Sequence, residues 1–218
     1  MKLKNVLSVI SIVILGGLMT MSLSACGLNK DSRAWIEKNR VSDIYKVYPT
    51  KNPEDLFKVF PDGFDINQYY TTPDGVLYQL ELEGKDKTKE IKGQFIKEPY
   101  ADDKKEKLSD VTVENGQIIF SDGTPKQDWP VDGFLFQQLA LNQTYLDGLK
   151  EKKYSFNWET GDFSIVYYLE DLRITKLFHK KVKSFEISGF GKDYYFRSLV
   201  FTFDDGSEFI EQISKPYN

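Results

Sequence analysis

Cysteine and histidine each occur once in the 218 residues, as Cys26 and His179. A lone cysteine forms no internal disulfide, so an exported domain with this sequence must be held together by its core. A lone histidine, set between Phe178 and Lys180, lacks the placed nucleophile and acid of a histidine-based triad and reads as a surface side chain. With one histidine and one cysteine, the usual transition-metal sites are out of reach. No serine sits in a G-x-S-x-G elbow. Gly189-Phe190-Gly191 has neither the further glycine, nor the lysine-serine pair, nor the following helix of a phosphate loop, and reads as a bulge or turn between strands. Internal repeats of fixed period are absent as well. Basic excess is also missing: 29 Lys and Arg face 33 Asp and Glu, a net charge of −4. That balance points away from nucleic acid as a partner and against the domain lying flat on an anionic lipid surface. These absences together predict a protein that is not an enzyme and holds no metal or dissociable cofactor.

What is present begins at the N-terminus. Lys2 and Lys4 precede an apolar run from Val6 to Leu18, and the small-residue stretch Ser22-Leu23-Ser24-Ala25 follows before Cys26. A cationic start, a short apolar core and small residues at a cut site are the signature of a secretory signal. An uncleaved anchor helix is the alternative, since Val6 to Ala25 approaches the roughly 20 residues that span a bilayer; the small-residue cut pattern speaks against it. Leu23-Ser24-Ala25-Cys26 resembles the lipobox of bacterial lipoproteins. That resemblance implies cleavage between Ala25 and Cys26, a thioether-linked diacylglycerol on Cys26, and often an N-acyl chain. Two acyl chains hold a protein on a membrane where one binds only marginally, and acylation would consume the thiol. The expected division is a signal peptide at 1–25, a lipidated N-terminus and short tether at 26–30, and a single domain at 31–218. The expected location is the extracytoplasmic face of the cell membrane. Cleavage would also remove Lys2 and Lys4, leaving the domain more acidic.

Aromatic residues are abundant, with 16 Phe, 13 Tyr and 3 Trp, which argues against disorder. From residue 31 to 48 the positions Ala34, Val41, Ile44, Tyr45 and Tyr48 recur at helical spacing, with Glu37 a polar exception, and Pro49 stops the run. Asn52-Pro53-Glu54-Asp55 announces a second, short helix. Thr72-Pro73-Asp74-Gly75 is a turn, followed by a half-buried strand through Val76, Tyr78, Leu80 and Leu82, and by another strand ending near Ile96. The charged stretch 99–107, with Asp102 and Asp103 among lysines, reads as a solvated loop. Asn115-Gly116 predicts a tight hairpin, because both positions tolerate positive φ. A helix is expected over 130–149, burying Phe134, Leu135, Leu139, Leu141, Tyr145 and Leu149. Strands are expected at 154–158, 163–169, 182–188, 198–203 and 208–213, with a short helix at 171–180. Helices first and hairpin-linked strands after give an α+β fold, mostly antiparallel, in one domain.

Tyr167-Tyr168 and Tyr194-Tyr195 put aromatics on both faces of any strand they occupy. One face enters the core, so the other is either covered or presented to a partner. Tyr167, Tyr168, Tyr194 and Tyr195 are therefore possible partner-binding residues.

Taken together, Tyr48-Pro49-Thr50-Lys51-Asn52-Pro53-Glu54-Asp55-Leu56, Asn115-Gly116-Gln117-Ile118-Ile119, Tyr154-Ser155-Phe156-Asn157, Tyr168-Leu169, Ile187-Ser188-Gly189-Phe190-Gly191 and Val200-Phe201-Thr202-Phe203 resemble the staphylococcal tandem lipoprotein family. The resemblance implies an exported lipoprotein without established enzyme activity, some members of which are linked to host-cell interaction and immune stimulation. The expected function is a non-enzymatic, lipid-anchored surface protein that contacts a host or envelope protein. An immunity-type lipoprotein neutralising a secreted toxin, or a solute-binding lipoprotein, are the alternatives.

Overall fold

A computed structural model describes residues 32–99, 104–123, 129–169, 172–190 and 195–216. The chain enters through Ser32, whose hydroxyl accepts from the Trp35 N–H at 3.3 Å and caps α1 (Arg33–Ile36). Beyond it the helix widens to a π turn over Glu37–Val41 and tightens to a 3-10 turn over Ser42–Lys46. Spacing explains both changes. Ile36 and Val41 are both fully buried and five residues apart, which suits a π turn; Val41 and Ile44 are three apart, which suits a 3-10 turn. The expected uniform helix is thus three kinds of turn in series, and Ala34 is exposed rather than buried.

A 3-10 turn at Pro53–Asp55 leads into α2 (Leu56–Val59). Five strands follow as a meander: β1 (Phe64–Thr71), β2 (Leu77–Lys85), β3 (Glu90–Glu98), β4 (Glu106–Glu114) and β5 (Gln117–Phe120). Asn115 and Gly116 turn the last hairpin at φ 52° and 77°. The second meander is β6 (Glu151–Phe156), β7 (Phe163–Tyr168), β8 (Val182–Phe190), β9 (Phe196–Phe203) and β10 (Glu208–Ser214). β1 and β10 pair to join the two, giving one ten-stranded antiparallel sheet in the order β5-β4-β3-β2-β1-β10-β9-β8-β7-β6. The α+β, mostly antiparallel, single-domain fold expected from the sequence is the fold observed. Among the described residues no helix is long and apolar enough to cross a membrane.

The expected helix over 130–149 is instead two single turns, α3 (Leu135–Gln138) and α4 (Gln143–Asp147). Backbone pairing with the first helical region breaks it. Thr50 N–H donates to the Phe136 carbonyl at 2.7 Å and Leu141 N–H to the Tyr48 carbonyl at 3.1 Å. Asn142 then restarts the helix by accepting from the Tyr145 N–H at 2.8 Å. The six side chains expected to be buried in this stretch are buried. Between β7 and β8 runs α5 (Leu172–Thr175).

One face of the sheet is the core. Phe64, Ile66, Tyr70, Leu80, Phe185, Ile187, Leu199, Phe201, Phe209 and Ile213 point inward and join Ile36, Val41, Ile44, Leu135, Phe136 and Leu146 in one apolar cluster. Three ion-bearing side chains share this inner layer, and each ties a helical segment to the sheet.

Glu211 of β10 is fully buried and is the most heavily bonded of the three. One carboxylate oxygen accepts from Tyr48 Oη at 3.0 Å and from the Phe136 N–H at 3.0 Å; the other accepts from Gln68 Nε2 at 2.8 Å and the Leu135 N–H at 2.7 Å. Burial pushes its pKa up to about 7, against the pull of these four donors. Glu37, 2% exposed, accepts from Arg33 Nε and from Tyr167 Oη, both at 2.8 Å, and from Gln143 Nε2 at 3.1 Å. Arg197, 5% exposed, meets Asp43 with a two-pronged pair at 3.0 and 2.7 Å, its guanidinium between the Phe163 and Tyr195 rings. Gly189, expected at a bulge or turn, lies in register opposite Arg197. A Cβ there would come within 2.9 Å of the Arg197 side chain and 2.5 Å of the Phe196 carbonyl, so only glycine leaves Arg197 its berth.

Candidate functional site

The sheet's other face is open. On β1 the outward residues Asp65, Asn67, Tyr69 and Thr71 are only half-buried while their neighbours are buried, as a strand with one solvated face requires. Register turns this into two polar rows across the strands. The first runs Asn67, Glu81, Gln94, Asp110, and the second Asp65, Glu83, Lys92, Thr112. Between them lies a trough of about 550 Å³ lined by these side chains with Tyr69. Gly93 forms part of the floor. A Cβ at that position would collide with the Glu81 carbonyl at 1.8 Å, so the strands close up there without a side chain between the rows.

Asp65, Glu81, Glu83 and Asp110 face one lysine, Lys92, in the trough. Within the trough Gln94 Nε2 donates to Glu81 at 3.2 Å; at its rim Lys85 pairs with Glu83 at 3.4 Å and Lys107 with Asp110 at 2.7 Å, so the negative field centres on Asp65 and Glu81. Asp65 and Glu83 sit directly opposite each other, a like-charge pair that a sheet tolerates at a cost. Burial raises the Asp65 pKa and Glu83 adds to the rise, with a hydrogen bond from Ser214 opposing. Tyr69 is raised by burial, then by Glu81 and Asp65. Beside the trough runs an apolar strip, Tyr69, Ile210 and Val200, cross-strand neighbours that are each half-buried.

Such an arrangement accepts hydrogen bonds and attracts positive charge. Among the described residues no group of three or more His, Cys, Asp or Glu is disposed to hold a metal ion.

The tyrosines expected at a partner surface divide. Tyr167 is fully buried, stacked on Phe185 at 5.7 Å and bonded to Glu37, which together with burial holds its hydroxyl far above the usual range. Tyr195 is 6% exposed against Phe60 and Arg197. Both are corrected to the core: the inner side of β7 and the lead into β9 are covered by the first helical segment. Tyr168, on the opposite side of β7, is 45% exposed. It walls a smaller pocket of about 250 Å³ with Tyr145, Lys150 and Arg173, the Lys150 ammonium lying 5.6 Å over its ring. Tyr194 lies outside the described residues, as do Ala25, Cys26, Asp102 and Asp103. His179 is exposed, 3.4 Å from Asp132. The trough itself went unread in the sequence; its only trace is the alternation of Glu81 and Glu83 with Leu80 and Leu82 on a half-buried strand.

The sequence matches no family model and no curated protein. Among solved structures, the crystal structure of the Mycobacterium tuberculosis lipoprotein LppX is similar over 75% of this chain and 92% of that one, at 12% identity and a TM-score of 0.39, a likeness too distant to carry an argument.

Proposed function

We propose that this chain is a non-enzymatic lipoprotein, anchored through Cys26 on the extracytoplasmic face of the membrane, whose open sheet face binds a protein partner at the trough of β1–β4. The observation that carries the binding part is the trough beside its apolar strip. Four carboxylates and one lysine line it; Lys85 and Lys107 pair with Glu83 and Asp110 at its rim, leaving Asp65 and Glu81 to set a negative field, and Tyr69, Ile210 and Val200 supply apolar area next to it. Apolar contact with a charged border is how protein interfaces are built, and the field selects a basic partner and speeds its approach. A small-molecule site of similar volume would be concave and mostly apolar; this trough is open to solvent and polar, which favours a protein over a solute. Kinship with the staphylococcal tandem lipoproteins belongs to the same proposal, through the Tyr48–Leu56 segment and the Asn115-Gly116 hairpin.

The test is reversal of the field. Full-length protein carrying Glu81→Lys and Glu83→Lys should keep its unfolding midpoint and lose capture of the partner that the unmodified protein retains from envelope extracts at low salt. Equal capture by both forms would contradict the assignment of the trough. Complete resistance of that capture to raised salt would contradict the electrostatic part.

A further inference from the structure

A second surface lies at the far edge of the sheet, where α1 crosses β6. Trp35, Phe156 and Trp158 form a ring cluster there, with centroids 5.2, 5.0 and 4.7 Å apart. Trp158 is 44% exposed and Tyr154, two residues before Phe156, is 43% exposed. The Arg40 guanidinium lies 5.3 Å over Phe156 and 6.0 Å over Trp35. Lys38, Lys152 and Lys153 are exposed on the same two elements. Among the described residues none of these four cations has an ion-pair partner, although Glu159 and Asp162 stand exposed in the turn that follows β6.

We infer that this aromatic and basic edge rests in the headgroup region of the membrane, Trp158 and Tyr154 entering it beside the half-buried Trp35 and Phe156, which pack against the core, while Arg40 and the lysines meet lipid phosphates. The inference rests on the proposed anchor at Cys26, and chain length links the two. From Cys26 to Ser32 an extended chain reaches at most about 20 Å, and Trp35 is within one helical turn of Ser32. An anchor at Cys26 therefore keeps this edge at the bilayer and leaves more distant parts of the domain free. Tryptophan prefers the level where an apolar body and a polar edge are both satisfied. Unpaired cations complement anionic headgroups within a Debye length, and a second contact strengthens lipid anchoring. The net negative charge of the whole chain is no obstacle, because charge is segregated along the sheet. The acidic trough spans β1 to β4, while β6 is five strands from β1 in the sheet order, roughly 24 Å at the usual strand spacing. The trough then stands clear of the lipid-contacting edge.

Tryptophan fluorescence reads this directly, because Trp35, Trp129 and Trp158 are the three tryptophans and Trp129 is only 7% exposed. Full-length protein is reconstituted into vesicles of phosphatidylglycerol and phosphatidylcholine, the latter with brominated acyl chains. Emission should be quenched in part, and the conservative pair Trp35→Phe and Trp158→Phe should abolish the quenching while the Trp129 signal of the folded core remains. Protein that floats with the vesicles and stays unquenched would overturn the inference and leave the anchor standing. If Cys26→Ala floats and quenches no differently from the unmodified chain, the anchor proposal falls and the edge binds lipid by itself. If neither form floats, both fall.

Discussion

Charged residues occur on both faces of the same sheet and do opposite things. On the inner face Glu211, Glu37 and Arg197 are almost completely buried and every one has partners from distant segments. On the outer face Asp65, Glu81, Glu83 and Asp110 line one trough, and their ties are exposed ones to nearby side chains such as Gln94, Lys85 and Lys107. A buried charge persists only when its surroundings supply hydrogen bonds, so the inner three report what holds the fold. Exposed ion pairs such as Glu83 with Lys85 and Asp110 with Lys107 add little to stability, and Asp65 opposite Glu83 costs some, so the outer four report a surface kept for contact.

The sharpest break in this comparison is Glu211→Ala. It leaves the Leu135 and Phe136 N–H groups, Gln68 and Tyr48 facing an apolar void, and should cost at least about 4 kcal/mol in urea unfolding. A loss near that of a surface substitution would mean the four bonds are not made. Next comes pH. Unfolded, a glutamate loses its proton near 4.5; in the fold Glu211 holds it to about 7. Between those values the folded chain carries the extra proton, so stability should fall by about 3 kcal/mol as pH rises from 4.5 to 7 on this account. Glu211→Gln should flatten that part of the profile, and an unchanged slope would place the titrating group elsewhere.

Arg197→Leu should cost less, about 2 kcal/mol, because Asp43 is left 34% exposed and can turn to water. Gly189→Ala should be comparable or worse, since its Cβ strikes the same guanidinium and the Phe196 carbonyl. The smallest effect has the opposite sign. Asp65→Asn relieves the repulsion with Glu83 and should raise stability by a few tenths of a kcal/mol; a clear loss by thermal unfolding would make the outer carboxylates structural and erase the difference between the faces.

Legibility in the sequence followed the same division. Alternation and turn chemistry located β2, β9, β10 and the Asn115-Gly116 hairpin, because each is set by local pattern. β1, which closes the two meanders into one sheet, was missed. Its inward row is Phe64, Ile66, Gln68 and Tyr70, and a glutamine in the third place breaks the apolar alternation that marks a strand. Gln68 is inside because it donates to Glu211 and to the Gly133 carbonyl, a pairing set by tertiary contacts. Glu37 was visible as the polar residue on an otherwise apolar helical face, although its partners Tyr167 and Gln143 lie more than a hundred positions away. Tyr167 and Tyr195 could not be sorted from Tyr168, since only the placement of the first helical segment decides which side of β7 is covered. The trough was illegible for a related reason: its carboxylates come from three separate strands and meet only through register.

Photo-crosslinking from the outer face tests the account most directly. Benzoylphenylalanine placed at Asn67, in the trough, and at Ser188, on the same face of β8, samples both halves of the open sheet on intact cells. The account predicts one discrete protein adduct from position 67, lost on Glu81→Lys with Glu83→Lys, and none from position 188. Adducts of equal yield from the two positions, or an adduct at 67 that survives the charge reversal, would contradict it.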